Sequence, residues 1–216
     1  MEQKTGMVCM SYITLLGDSI IDNKTYVQKG ELSVLEHLEN ISEYEYTQLA
    51  FDGDTTLNVL NGQLLSPAIA TSSHLVLSIG GNDLLQNLSF LYEGPVDKVN
   101  DAVAGVQQYI FKPLEKRFET IIQRLSSHRA NLLLCTVYEG DLGRTDEFRE
   151  VLDSSKIMVS SFNDTVYKTA SKYNADVLEL RHIFTSSKDY ANPIEPSHIG
   201  GEKLAQAITD WIKKTS

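Results

Sequence analysis

Tyr12-Ile13-Thr14-Leu15-Leu16-Gly17-Asp18-Ser19 is an apolar, β-forming run that ends on a glycine, an acid and a hydroxyl. The run from Tyr12 to Leu16 reads as a strand, and Gly17 marks a sharp turn at its carboxyl end. Four further short runs share this character: Tyr46 to Phe51, Leu75 to Ile79, Leu132 to Val137 and Val177 to Leu180. Between them lie longer stretches of helical periodicity. These cover Val96 to Leu125, with a break expected near Pro113, then Phe148 to Tyr173 and finally Glu202 to Lys213. Strand alternating with helix requires right-handed crossovers, so the spacing predicts an α/β fold: a mostly parallel sheet covered by helices on both faces. In such sheets ligands bind beyond the carboxyl ends of the strands.

The bulk properties fit this reading. The chain has 216 residues, of which 42% are hydrophobic and 22% charged, as expected for one domain with a packed core. We find no internal repeat, low-complexity segment or linker-like stretch. A net charge of −10 argues against nucleic-acid partners, which are held by clustered Lys and Arg, and against anionic membrane surfaces. No stretch is long and apolar enough to insert in a membrane. Cys9 and Cys135 each lie in an apolar run and read as buried free thiols. The amino-terminal residues are too polar for a signal peptide. A cytoplasmic location is therefore expected, and the sequons at Asn23, Asn40, Asn87 and Asn163 read as chance matches.

Three polar clusters sit at the carboxyl ends of consecutive expected strands. Gly17-Asp18-Ser19 follows the first, Phe51-Asp52-Gly53-Asp54-Thr55 the second and Gly80-Gly81-Asn82-Asp83 the third. Each alone is explained by a helix cap or a turn. Together, the fold brings them to one rim. Ester hydrolysis by a covalent route needs a nucleophile and donors placed where negative charge develops. Ser19 suits the first role. The backbone N–H groups of Ser19 and Gly53 and the side-chain amide of Asn82 suit the second, as an oxyanion hole.

On these blocks the sequence resembles the SGNH/GDSL hydrolases, with Gly17-Asp18-Ser19-Ile20, Gly53-Asp54-Thr55 and Gly80-Gly81-Asn82-Asp83 similar to the first three family blocks. The resemblance implies a three-layer α/β/α sandwich with a flavodoxin-like, five-stranded parallel sheet. It also implies an esterase, lipase or acylhydrolase acting on a small ester or acylated substrate, without metal or organic cofactor. The last family block resembles Asp-x-x-His-Pro-x-x-x-Gly, whereas this chain reads Asn192-Pro193-Ile194-Glu195-Pro196-Ser197-His198-Ile199-Gly200-Gly201. Two registers compete. Aligning Pro and Gly puts Glu195 at the histidine position and Asn192 at that of its carboxylate partner. Aligning the histidine makes Glu195 and His198 a carboxylate–imidazole pair, with Asp189 as a further carboxylate able to orient the ring.

The imidazole register suits the chemistry, because an ordinary glutamate is a weak base near pH 7. His198 is accordingly expected beside Ser19. His182 is a further imidazole able to reach the rim, whereas His37, His74 and His128 read as structural or exposed. Glu179 and His182 have a spacing seen in metal sites but lack a third ligand nearby, so no metal is expected. Three functions share these residues: a serine hydrolase, a catalytically impaired pseudoenzyme that binds an acyl or carbohydrate group, and an acyltransferase.

Overall fold

A computed structural model describes residues 12–92 and 97–216. Its centre is a five-stranded sheet of β1 (Tyr12–Gly17), β2 (Glu45–Gln48), β3 (His74–Ser78), β4 (Asn131–Cys135) and β5 (Asp176–Leu178). The strand order is β2-β1-β3-β4-β5, and each neighbouring pair is parallel. This is the flavodoxin-like order, in which the chain moves outward from β1 first to β2 and then, on the other side, to β3. The carboxyl ends of β1 and β3 therefore flank the crevice where the winding direction reverses. Cys135 is a buried free thiol with its pKa pushed up to about 12 by burial, whereas Cys9 lies outside the described residues.

Side chains alternate between the two faces of each strand, as the period of two requires. Leu16, Leu75, Leu77, Leu132 and Leu134 face one apolar layer, while Ile13, Leu15, Val76, Leu133 and Cys135 face the other. Both faces are covered, which explains why the strands read as nearly continuous apolar runs. The first layer is closed by α2 (Thr56–Asn61), α6 (Lys112–Leu125) and α7 (Leu152–Tyr173). Phe118 and Phe162 meet there edge to face, with ring centroids 5.3 Å apart. The second layer is closed by α1 (Val34–Ile41) and α8 (His198–Thr215), through Leu38, Leu204, Ile208 and Trp211. Shorter helices α3 (Ala68–Thr71) and α4 (Gly81–Leu85) flank β3, and α5 (Val99–Val106) precedes α6.

Several boundaries differ from the sequence expectation. The helical stretch containing Pro113 is not broken there. A turn of π-helix at Gln107–Phe111 joins α5 to α6, and Pro113 falls in the first turn of α6, where its missing N–H costs nothing. Val96, its expected start, lies outside the described residues. The last helix begins at His198 rather than Glu202, because the Ser197 side chain accepts the Gly200 N–H and caps it.

Two glycines are required by close packing at the crevice. A side chain at Gly17 would lie 1.8 Å from the Ser78 carbonyl oxygen, and one at Gly80 would lie 2.3 Å from the Phe162 ring. Both also have positive φ, +129° and +116°, which an L side chain rarely adopts.

Candidate active site

Ser19 stands directly beyond β1 and is 5% exposed. The chain turns at once: the Asp18 N–H donates to the Ser78 carbonyl at 3.1 Å, while the Asp18 carbonyl accepts from Ile21 and Asp22. The Asp18 carboxylate accepts the Ile20 N–H at 3.1 Å, which fixes the turn on the far side of Ser19. Gln63 secures the approach. Its side chain accepts from Gly17 N–H at 2.8 Å and donates to the Gly17 carbonyl at 2.7 Å and to Asp54 at 2.7 Å. No sequence signal marked Gln63, because nothing local links it to a residue 46 positions earlier.

The oxyanion candidates come from three elements. Asn82, in the first turn of α4, donates one amide hydrogen to the Asp54 carbonyl at 3.0 Å, leaving the second for a ligand. The N–H groups of Ser19 and Gly53 have no acceptor among the described residues. Asn82 and Ser19 line a common cavity, whereas Gly53 is exposed and does not line it. Asp83 joins the second and third blocks. It accepts from the Thr56 N–H at 2.8 Å and hydroxyl at 2.6 Å and pairs with Arg117 at 3.0 Å.

The side chain placed at Ser19 is not the one that the imidazole register puts there. Glu195 lines the cavity with Ser19 and is 5% exposed. Burial pushes its pKa up to about 7, while the Ser19 side chain, acting as a hydrogen-bond donor, pulls it down and the Asp52 charge pushes it up. Its Oε2 is buried without a hydrogen-bond partner among the described residues. Native structures rarely leave such an oxygen unpaired unless a ligand or a reaction uses it. Asp18 lies close enough for the Glu195 charge to raise its pKa, although burial is the larger cause. Two carboxyls in one apolar site do not readily ionise together, and Glu195 is the one that titrates near neutrality.

Five hydrogen bonds, made with Asn192, Tyr138, Ala191 and Asn23, hold the turn at Glu195 in place. Asn192 Oδ1 accepts from the Ile194 and Glu195 N–H groups, both at 2.9 Å, forming the turn that presents Glu195. The Tyr138 hydroxyl donates to the Ile194 carbonyl at 2.6 Å. Ala191 N–H donates to the Glu195 carbonyl at 2.9 Å. Asn23, fully buried, donates to the Pro196 carbonyl at 3.2 Å while accepting the Val34 N–H at 2.8 Å. Asn23 and the buried Asn163, which bonds both backbone groups of Val137, thus use their amides structurally.

His198 is turned elsewhere. Its Nδ1 accepts the Leu32 N–H at 3.1 Å and lies 3.0 Å from His37 Nε2, with the two rings 4.7 Å apart. As the first residue of α8, it is aimed toward α1 rather than toward Ser19. Asp189 does not orient it. That carboxylate is completely buried, pairs with Lys203 at 2.7 Å and accepts from the Thr185 and Ser186 N–H groups. His182 is exposed. Glu179 is engaged by Arg181, Thr136 and Tyr167, which lower its pKa to about 2 against the opposing effect of burial. The sequence expectation of an imidazole–carboxylate pair at Ser19 is therefore corrected: the group beside Ser19 is Glu195.

No protein-family model matches the chain, and no curated protein matches it in sequence. Solved structures do match in shape. An extracellular lipase from Streptomyces rimosus aligns at 14% identity over 93% of this chain and 99% of its own, with a TM-score of 0.67. A member of the lipolytic G-D-S-L family from Veillonella parvula aligns at 18% identity over 93% and 97%, with a TM-score of 0.65. An acetylxylan esterase from Geobacillus stearothermophilus aligns at 15% identity over 94% of both chains, with a TM-score of 0.62. The chain thus has the GDSL-type hydrolase fold that its sequence blocks resemble. No helix among the described residues is long and apolar enough to cross a membrane.

Proposed function

From this fold, we propose that the protein is a serine hydrolase of small esters in which Ser19 is the nucleophile and Glu195 takes the place of the usual imidazole base. The supporting observation is the juxtaposition of a buried serine with a buried carboxyl that ionises at about 7 and has one oxygen free of partners. General bases work best with a pKa near the operating pH, so this glutamate suits the task that an ordinary one does not.

The reaction runs in two halves. Ionised Glu195 accepts the Ser19 proton as Oγ bonds to the ester carbonyl carbon, and the carbonyl oxygen becomes an oxyanion. The tetrahedral intermediate expels the alcohol, which leaves with the proton from Glu195, and the acyl group remains on Ser19. Water then loses a proton to Glu195 and attacks the acyl carbon. Collapse releases the acid, and Ser19 recovers its proton. With a carboxylate base, negative charge migrates from Glu195 to the oxyanion rather than an ion pair being created. No positive imidazolium faces the oxyanion, so the N–H donors of Ser19 and Asn82 carry its stabilisation.

A pseudoenzyme is the second reading, favoured by the absence of an imidazole from the residues lining the cavity. Fluorophosphonate labelling followed by peptide mapping separates the two. Modification confined to Ser19 supports the hydrolase, whereas folded protein that stays unlabelled makes the chain a binding protein.

A further inference from the structure

The carboxyl ends of the strands collect acids. Asp18 follows β1, Asp52 follows β2, Glu139 follows β4, and Glu195 stands in the loop before α8. Asp18, Glu139 and Glu195 line the cavity at Ser19, and the Asp52 charge reaches Glu195. None of the four belongs to an ion pair among the described residues, whereas acids elsewhere on the chain do, Glu179 with Arg181 and Asp189 with Lys203 among them. No Lys, Arg or His is among the described residues that line the cavity. Arg144 and Lys188 line a different depression, with Tyr26 and His198.

Neutral donors satisfy part of this group. The Asp18 carboxylate takes the Ile20 N–H, and Asp52 takes the Tyr26 hydroxyl at 2.9 Å. Glu195 Oε2, on a residue only 5% exposed, has no partner at all among the described residues. The rest of the wall is largely apolar, from Leu84, Val137, Met158 and Val159. A cleft with such low-dielectric walls and one sign of charge focuses its field on whatever enters. An anionic ligand would be repelled. A neutral N–H or O–H donor would complete the hydrogen bond at Oε2 but leave the charge uncompensated, whereas a protonated amine does both.

We propose that the substrate is a cationic ester whose protonated amine donates an N–H to Glu195 Oε2, in the field of Glu139 and Asp52. That it is an ester rests on the hydrolase reading; that it is cationic rests on the acids alone. The second Glu195 oxygen remains to take the Ser19 proton. Because Glu195 bonds the Ser19 side chain, whose oxygen attacks the ester carbon, the amine must lie within a few bonds of that carbon. An α-amino acyl group and an amino-alcohol leaving group both meet this requirement with the same ammonium chemistry.

The test is calorimetry on the full chain near neutral pH, comparing each cation with a neutral compound of the same shape. Alaninamide is set against isobutyramide for the acyl half, and dimethylethanolamine against isoamyl alcohol for the alcohol half; both amines are largely protonated there. A hydrogen bond from a charged donor is worth about ten- to a hundredfold, so the cation of at least one pair should bind that much more tightly than its neutral counterpart. The pair that shows the preference assigns the amine to its half of the ester. The matching esters, alanine ethyl ester against ethyl isobutyrate and dimethylaminoethyl acetate against isoamyl acetate, should show the same preference in kcat/KM once each rate is divided by that with hydroxide alone. Glu139→Gln should lower the binding ratio at least about threefold, since it removes one charge from the cleft. Asp52→Asn should lower it by less, because Glu195 then ionises more readily. Equal binding within both pairs, or a ratio that neither substitution changes, would overturn the cation site. A cation preference in binding without turnover of any of the four esters would instead overturn the hydrolase reading and leave the cation site standing.

Discussion

The two sides of the crevice are built differently. The side carrying the proposed nucleophile consists of strand ends: Ser19 follows β1, Asn82 follows β3, and each is reached through a glycine packed tightly against its neighbour. The side carrying the proposed base is the loop 190–197, held by Asn192, Tyr138 and Asn23. Parallel sheets fix what stands at their carboxyl ends, so the first side tolerates little change in register. A loop position is set by turn chemistry, and there a glutamate occupies the place that the resemblance gives to histidine.

The sharpest way to break this contrast is to remove one group from each side. Ser19→Ala should lower kcat/KM for a short p-nitrophenyl ester by at least about 10⁴-fold while the far-ultraviolet circular dichroism stays unchanged. Glu195→Gln should cost about 10³-fold or more in kcat, because the amide cannot take the serine proton. Activity close to the parent's in Glu195→Gln would return the base role to another group.

Asn82→Ala tests the strand-end side more gently. A loss of about 10²- to 10³-fold in kcat with little change in KM is expected for an oxyanion donor, since that contact strengthens as charge develops. A change confined to KM would make Asn82 a substrate-binding residue. His198→Ala should alter kcat by no more than a few-fold. Thermal denaturation should nonetheless show it destabilised by about 1–2 kcal/mol, because the Leu32 N–H loses its acceptor. A drop of several orders of magnitude in kcat would restore the imidazole register.

A smaller effect concerns stability. The Glu195 carboxyl ionises at about 7 in the folded chain, against an ordinary value of 4.5. The folded state thus binds the proton more tightly than the unfolded chain. The stability this confers is complete below about pH 4.5 and is lost as pH rises through 7. Glu195→Gln should therefore stabilise the protein by about 3 kcal/mol at pH 8 and by much less at pH 5, as read by urea denaturation at the two values. Equal effects at both would show that the carboxyl is not buried as described.

The fold was readable because its signals are local. Five apolar runs alternating with helical periodicity specify a parallel sheet, and Gly17-Asp18-Ser19 and Gly80-Gly81-Asn82 mark two strand ends without ambiguity. The proposed base was less readable. Glu195 and His198 are three residues apart on either side of Pro196, and both fit a carboxylate–imidazole pattern on paper. What decides between them is an Asx turn at Asn192 and the cap at Ser197, which starts α8 at His198 and points that ring toward His37. The supporting contacts of Gln63, Arg117 and Asn23 were invisible for a simpler reason, since each joins segments far apart in the chain.

The central claim, that Glu195 and not His198 activates Ser19, is tested most directly by the second-order rate of fluorophosphonate labelling at Ser19 as a function of pH. In the parent and in His198→Ala the rate should rise with pH through a single ionisation near 7 and then level off. In Glu195→Gln it should be lower by orders of magnitude and show no such ionisation. The opposite result, with the step near 7 kept in Glu195→Gln and lost in His198→Ala, would contradict the claim and place the proton on the imidazole.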